Sequence, residues 1–133
     1  MELKSNNHSV HAIGLHIIFC PKYKHDILVG AVEVGLKRII SEVCADNGWS
    51  LHSIEIMPDH VHLFIQSDPY MAPFEIVKRI KSISAVYLFT KFPSLKKQKF
   101  WGSGLWSRSA YYGSVGHISE EDVRRYIEDQ KKK

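Results

Sequence analysis

Two short apolar runs, Leu51 to Met57 and His60 to Gln66, are separated only by Pro58-Asp59. Proline followed by aspartate is turn chemistry, so the two runs should pair as an antiparallel hairpin, and the rest of the fold must be built around it. Upstream, His11 to Cys20 places Ile13, Leu15, Ile17 and Phe19 at alternate positions, which predicts a strand with one face buried, ended by Pro21 and the Lys22–Asp26 cluster. From about Ala31 to Asn47, Val32, Leu36, Ile39, Ile40 and Val43 recur at helical spacing, and Gly48 stands where a helix commonly needs a left-handed residue. Downstream, Phe74 to about Phe92 carries Phe74, Val77, Ile80, Ile83 and Tyr87 or Leu88 on one stripe, a second and longer helix that Pro93 stops. A basic loop follows. Leu105 to Val115 has no helical period and several aromatics, and reads as a fourth strand. Ser119 then begins a third helix, with Asp122 giving an approximate capping box and Glu120 and Glu121 suited to its positive end.

The order is therefore β-α-β-β-α-β-α. Its first six elements form the split β-α-β pattern of a ferredoxin-like α+β fold, with an antiparallel four-stranded sheet, both helices on one face and the other face available. A chain of 133 residues fits one domain, 1–133, and 44% hydrophobic with 24% charged residues is ordinary for a globular protein that forms a real core. Two cysteines, Cys20 and Cys44, make neither a disulfide framework nor a zinc or redox motif. No run approaches the roughly 20 apolar residues that span a bilayer, and the polar start of the chain is unlike a signal peptide. The expectation is a soluble, cytoplasmic protein with reduced thiols and no membrane partner.

The net charge of +4 is unevenly spread. Between Glu75 and Glu120 no acid occurs, and Lys78, Arg79, Lys81, Lys91, Lys96, Lys97, Lys99 and Arg108 give that stretch +8; the remainder, with ten basic and 14 acidic residues, carries −4. Tyr87, Phe89, Phe92, Phe100, Trp101, Trp106, Tyr111 and Tyr112 are interleaved with these cations. A polyanion with stackable bases would select such a mixture. The plainer alternative is a solvated basic helix whose aromatics are core.

Among eight histidines, His60 and His62 flank Val61 on the third strand. Alternation sends Val61, Leu63 and Ile65 into the core and both histidines to the opposite face, with Cβ atoms roughly 7 Å apart, a spacing from which two imidazoles can chelate one divalent ion. His16 shares its parity with Ile18 and Cys20, so it approaches this pair if the first strand neighbours the third; a structural role is the simpler reading for it. On the last helix, Tyr126 and Gln130 stand at i and i+4 on one face. The first brings a phenolic oxygen capable of nucleophilic attack and the second a neutral carbonyl oxygen that a hard metal accepts. On periodicity alone, the simpler reading makes Tyr126 the partly buried edge of a narrow apolar stripe with Val123 and Ile127.

Taken jointly, Met57-Pro58-Asp59-His60-Val61-His62-Leu63, Phe19-Cys20-Pro21-Lys22-Tyr23, Leu105-Trp106-Ser107 and Val123-Arg124-Arg125-Tyr126-Ile127-Glu128-Asp129-Gln130 resemble the small single-tyrosine HUH transposases of the IS200 and IS605 insertion sequences. The resemblance runs from about His11 to Gln130. It implies that His60, His62 and Gln130 ligate Mg2+ or Mn2+, and that Tyr126, on the C-terminal helix, is the nucleophile. The implied activity is cleavage and rejoining of single-stranded DNA at element ends that fold into subterminal hairpins, through a 5′-phosphotyrosine, with no nucleotide cofactor. It also implies a homodimer in which the tyrosine helix of one subunit serves the HUH site of the other. Lys78, Arg79, Lys81 and Arg108 are the candidate DNA contacts. The loop Lys22-Tyr23-Lys24-His25 departs from the family, which often has arginines there. Two alternatives remain at this level: a related HUH nuclease acting on dispersed palindromic repeats, and a noncatalytic nucleic-acid-binding module in which His60 and His62 are structural.

Overall fold

The computed structural model describes residues 4–5, 10–11, 13–67, 70–100, 103–114, 125 and 127–129. Strands β1 (Ile13–Phe19), β2 (Ser50–Met57), β3 (His60–Ser67) and β4 (Tyr111–Ser114) form one antiparallel sheet in the order β2-β3-β1-β4, the ferredoxin-like arrangement. Near the N-terminus, Lys4–Ser5 pairs with Val10–His11 as a separate two-stranded ladder.

Helices α1 (Gly30–Asp46) and α2 (Pro73–Lys91) pack on each other and cover one face of the sheet. Leu15, Ile17 and Phe19 of β1 and Val61, Leu63 and Ile65 of β3 join Leu36, Ile40 and Val43 of α1 and Ile76, Val77 and Ile80 of α2 in a single apolar cluster. The period-two pattern of both strands is thus realised as expected. One difference lies at Ile18, which points away from the helices and is nevertheless fully buried, so β1 is covered on both sides at that point. Helix α1 ends as its sequence requires: Gly48 adopts φ +72°, and the Gly48 and Trp49 amides donate to the carbonyls of Ala45 and Cys44. Gly35 lets the helices meet closely, since a Cβ there would lie 3.3 Å from the Tyr87 ring.

Three expectations are corrected. On α2 the buried positions are Ile76, Ile80, Ser84 and Leu88, an i, i+4 row, with Val77 beside it, whereas Phe74 is 58% and Ile83 40% exposed. The inward row is set by where α1 lies, and apolar residues on neighbouring rows made the stripe ambiguous. Beyond Lys91, Phe92 leaves the helix, but Pro93 starts a further turn, Pro93–Leu95, continued by a π-helical turn, Lys96–Phe100, that brings Phe100 into the core. Proline is compatible with the first position of a helix, so it ends one element and begins another.

The fourth strand is also shorter than the run Leu105 to Val115. Trp106 bridges Pro21, and Tyr111 pairs with Ile18. Between these pairs β1 and its extension spend two residues, 19 and 20, while the other chain segment spends four, 107–110. The excess bulges out, and the Lys81 ammonium donates to the carbonyls of Ser107 at 2.6 Å and Ser109 at 3.2 Å. Of the proposed third helix, residues 125 and 127–129 are helical; its start at Ser119, with Glu120, Glu121 and Asp122, lies outside the described residues. Among the described residues no helix is long and apolar enough to cross a membrane.

Candidate active site

The Pro58-Asp59 turn places His60 opposite Met57 and His62 opposite Glu55, with both imidazoles on the face away from the helices. Asp59 Oδ1 lies 2.9 Å from His60 Nδ1, and Asp59 Oδ2 lies 3.1 Å from Lys24 Nζ. Burial alone would raise the Asp59 carboxyl, but hydrogen bonds from His60 and Lys24 and attraction to both outweigh it and hold the pKa below the ordinary carboxylate value. An ionised carboxylate only accepts, so His60 donates through Nδ1, which leaves Nε2 as the ring nitrogen available to a metal. That is the arrangement a metal-ligating histidine needs, fixed by a carboxylate as such ligands commonly are.

His62 is favoured in its neutral form. Burial lowers its pKa, nearby His16 and His60 lower it further, and Glu55 opposes them without prevailing. Its Nε2 lies 3.3 Å from His16 Nδ1, and the His16 ring stacks on Phe64 with centroids 4.6 Å apart. His16 therefore reaches the pair, as its parity and the β1–β3 pairing allow. Farther along the same side, His52 Nε2 donates to Gln66 Oε1 at 2.9 Å, which closes that histidine off in a local hydrogen bond. Two imidazoles on one face, one backed by a carboxylate, suit a divalent cation. Among the described residues no third His, Cys, Asp or Glu joins them in a metal-holding cluster. Tyr126 and Gln130 lie outside the described residues.

The basic, aromatic stretch divides into two roles. Phe100, Leu105 and Trp106 are core: Trp106 stands edge-on to Phe19 and its Nε1–H donates to Ser84 Oγ at 3.0 Å. Phe74, Lys78, Lys81, Arg108 and Tyr112 instead line a cleft of about 570 Å3 between α2 and the segment leading into β4. Phe74 and Tyr112 present exposed rings there. Lys81 is half-withdrawn, its ammonium engaged by the two bulge carbonyls and its pKa lowered by burial. Arg79 is not part of this cleft; its guanidinium donates to Asn47 Oδ1 at the end of α1. Arg108 also lines a second cleft, of about 370 Å3, with Lys22, Tyr23, Ser107 and Ser109.

The profile of the family described as "Transposase IS200 like" matches residues 9–130. This chain belongs to the IS200-like transposase family. It is 38% identical to the ISDra2 transposase TnpA of Deinococcus radiodurans over 130 residues, covering 98% of this chain and 92% of the relative. The transposase for insertion sequence element IS200 of Salmonella typhimurium is 26% identical over 115 residues, covering 86% and 74% of the two chains. A crystal structure of a candidate transposase from Deinococcus radiodurans R1 superposes with a TM-score of 0.88 at 36% identity, covering 96% and 97%. A REP-associated tyrosine transposase, solved bound to a REP hairpin, shares the fold with a TM-score of 0.58 at 14% identity, covering 93% of this chain and 67% of the other.

For this IS200-like chain, the His pair and its open face were legible in the sequence, while its support was not. Asp59 adjoins His60 and was visible as a turn residue, yet nothing in the spacing announces that Lys24 arrives from 35 positions earlier to neutralise it. Tyr23 and Arg108, 85 positions apart, likewise meet only through the fold.

Proposed function

We propose that this chain is the transposase of an insertion sequence, cutting and rejoining single-stranded DNA at ends that carry subterminal hairpins. The observation that carries the reading is the pair of imidazoles on the sheet's open face, with His60 oriented by Asp59 and Asp59 in turn by Lys24. An isolated His-x-His would be weak support; this pair occurs in a chain of the IS200-like family.

In the proposed mechanism His60, His62 and Gln130 hold Mg2+ or Mn2+, which when bound stabilises negative charge growing on the scissile phosphate. Asp59 keeps His60 oriented, and Lys24 keeps Asp59 ionised without a net negative charge beside the site. The Tyr126 oxygen attacks phosphorus in line, a tyrosine–phosphate bond forms, the bond to the 3′ oxygen breaks, and that oxygen takes up a proton to become a free hydroxyl. The 5′-phosphotyrosine conserves the energy of the broken phosphodiester, so rejoining to another 3′-hydroxyl needs no nucleotide cofactor. Lys78 and Arg108 in the larger cleft hold phosphates while exposed Phe74 and Tyr112 face bases. The active unit is a homodimer in which Tyr126 of one subunit serves the His pair of the other.

The test incubates the protein with Mn2+ and element ends labelled at either terminus. A covalent adduct that survives denaturation and vanishes in Tyr126→Phe is expected. An adduct that persists in Tyr126→Phe overturns the nucleophile, and DNA binding without any cleavage favours the noncatalytic module. The relatives named for their own elements, ISDra2 and IS200, favour element ends over dispersed palindromes as substrate; cleavage of dispersed-repeat hairpins in preference to element ends reverses that assignment.

A further inference from the structure

The turn after β1 is held in a conformation that its residues do not favour. Tyr23 has φ +60° and Lys24 φ +54°, two consecutive non-glycine residues in the left-handed region. Such backbone costs free energy and persists where the surroundings fix it. Here they do: the Lys22 amide donates to Leu105 O at 2.8 Å, the Lys24 amide to Pro21 O at 2.9 Å, and the Lys24 ammonium is bound to Asp59. The turn presents Tyr23, 56% exposed, at the mouth of the 370 Å3 cleft that it shares with Lys22 and Arg108. Lys22 Nζ sits 5.9 Å from the Tyr23 ring centroid and His25 packs edge-on to it, so the ring is braced from two directions. Arg108 is exposed and has no ion-pair partner among the described residues.

An open, braced aromatic ring with two cations beside it fits one nucleobase and its phosphate better than it fits a protein side chain or a small apolar ligand. We propose that this cleft is a nucleotide-binding site for single-stranded DNA, with one base stacked on Tyr23 and its phosphate held by Arg108 and Lys22. It rests on the reading of the chain as a single-strand transposase. Because Lys24 of the same turn reaches Asp59, and Asp59 holds His60, the captured nucleotide is tied mechanically to the His pair. Tyr23 acts here as a positioning residue, and its hydroxyl is not needed.

The experiment uses full-length protein without added metal and a series of thymine oligonucleotides, each with one 2-aminopurine at a different position. Wild type should bind with a change in fluorescence at one position, and Tyr23→Phe should reproduce it. Tyr23→Ala should lose that change and bind about five- to 150-fold more weakly, the range of one base–aromatic stack. Tyr23→Gly should bind as weakly as Tyr23→Ala yet melt at a higher temperature than wild type, because glycine relieves the left-handed strain. Arg108→Ala should reduce the salt dependence of binding by about one phosphate contact. If Tyr23→Ala keeps both affinity and fluorescence change, the nucleotide site is overturned while the single-strand reading stands. If wild type binds no single-stranded oligonucleotide, both fall.

Discussion

The two faces of this molecule were equally conspicuous as sequence and behave differently as structure. On the open face of β3, His60 and His62 stand where alternation places them, and each is engaged by its neighbours, His60 by Asp59 and His62 by His16. In the basic stretch between Glu75 and Glu120, cations that look equivalent along the chain have separate fates. Lys78 and Arg108 line an open cleft, Lys81 is consumed by the carbonyls of a bulge, and Arg79 is turned toward Asn47. A strand ladder transmits its period directly to space, so composition and position coincide there. A helix followed by an irregular segment does not, because the partner of each long side chain is chosen by whatever backbone the fold brings near.

Six measurements break or sharpen that contrast, the largest effect first. His60→Ala or His62→Ala should reduce metal-dependent cleavage at least about a thousandfold and leave single-strand affinity within about threefold of wild type, measured by cleavage assay and by anisotropy. Equal losses of affinity and cleavage would show that the two faces are not functionally separate. Mixing Tyr126→Phe with His60→Ala protein should restore activity that neither has alone if the tyrosine acts across the dimer; no restoration places it in its own subunit's site.

Asp59→Asn removes the charged acceptor that orients His60, and should weaken Mn2+ binding about 10- to 100-fold by titration calorimetry. Within the basic stretch, Lys81→Met should destabilise the fold by ~1–3 kcal/mol in chemical denaturation, since two carbonyls lose their donor. Arg79→Ala, by contrast, should change single-strand affinity by less than about twofold. The smallest effect concerns the thiols. Burial pushes Cys20 up to about 12 and Cys44 up to about 11, so both stay protonated as pH rises through the range where an ordinary thiol ionises. Native protein at pH 8 should react with a thiol reagent far more slowly than unfolded protein at both positions; rapid labelling of Cys20 would show that the junction of β1 with the Lys22–Lys24 turn opens.

Much of the fold could be read from the chain because its signals are local. The hairpin followed from Pro58-Asp59, the end of α1 from Gly48, and the inward positions of β1 and β3 from alternation. The row of α2 that faces inward was not legible, since Phe74 and Ile83 are as apolar as Ile76 and Leu88 and only the position of α1 chooses between them. The interruption of the last strand escaped for a related reason. Trp106 and Tyr111 both pair with the first strand or its extension, but the bulge between them is held by Lys81 from another element.

What the sequence determined by itself is the family, the order of elements and the side of β3 on which two imidazoles emerge, because turns, periods and short motifs are properties of neighbouring residues. What only the tertiary structure decided is which groups those imidazoles meet and which cations stay free. Lys24 reaches Asp59, His16 reaches His62 and Arg108 comes beside Tyr23 through contacts between residues far apart in the chain, and such contacts are set by the packing of the whole.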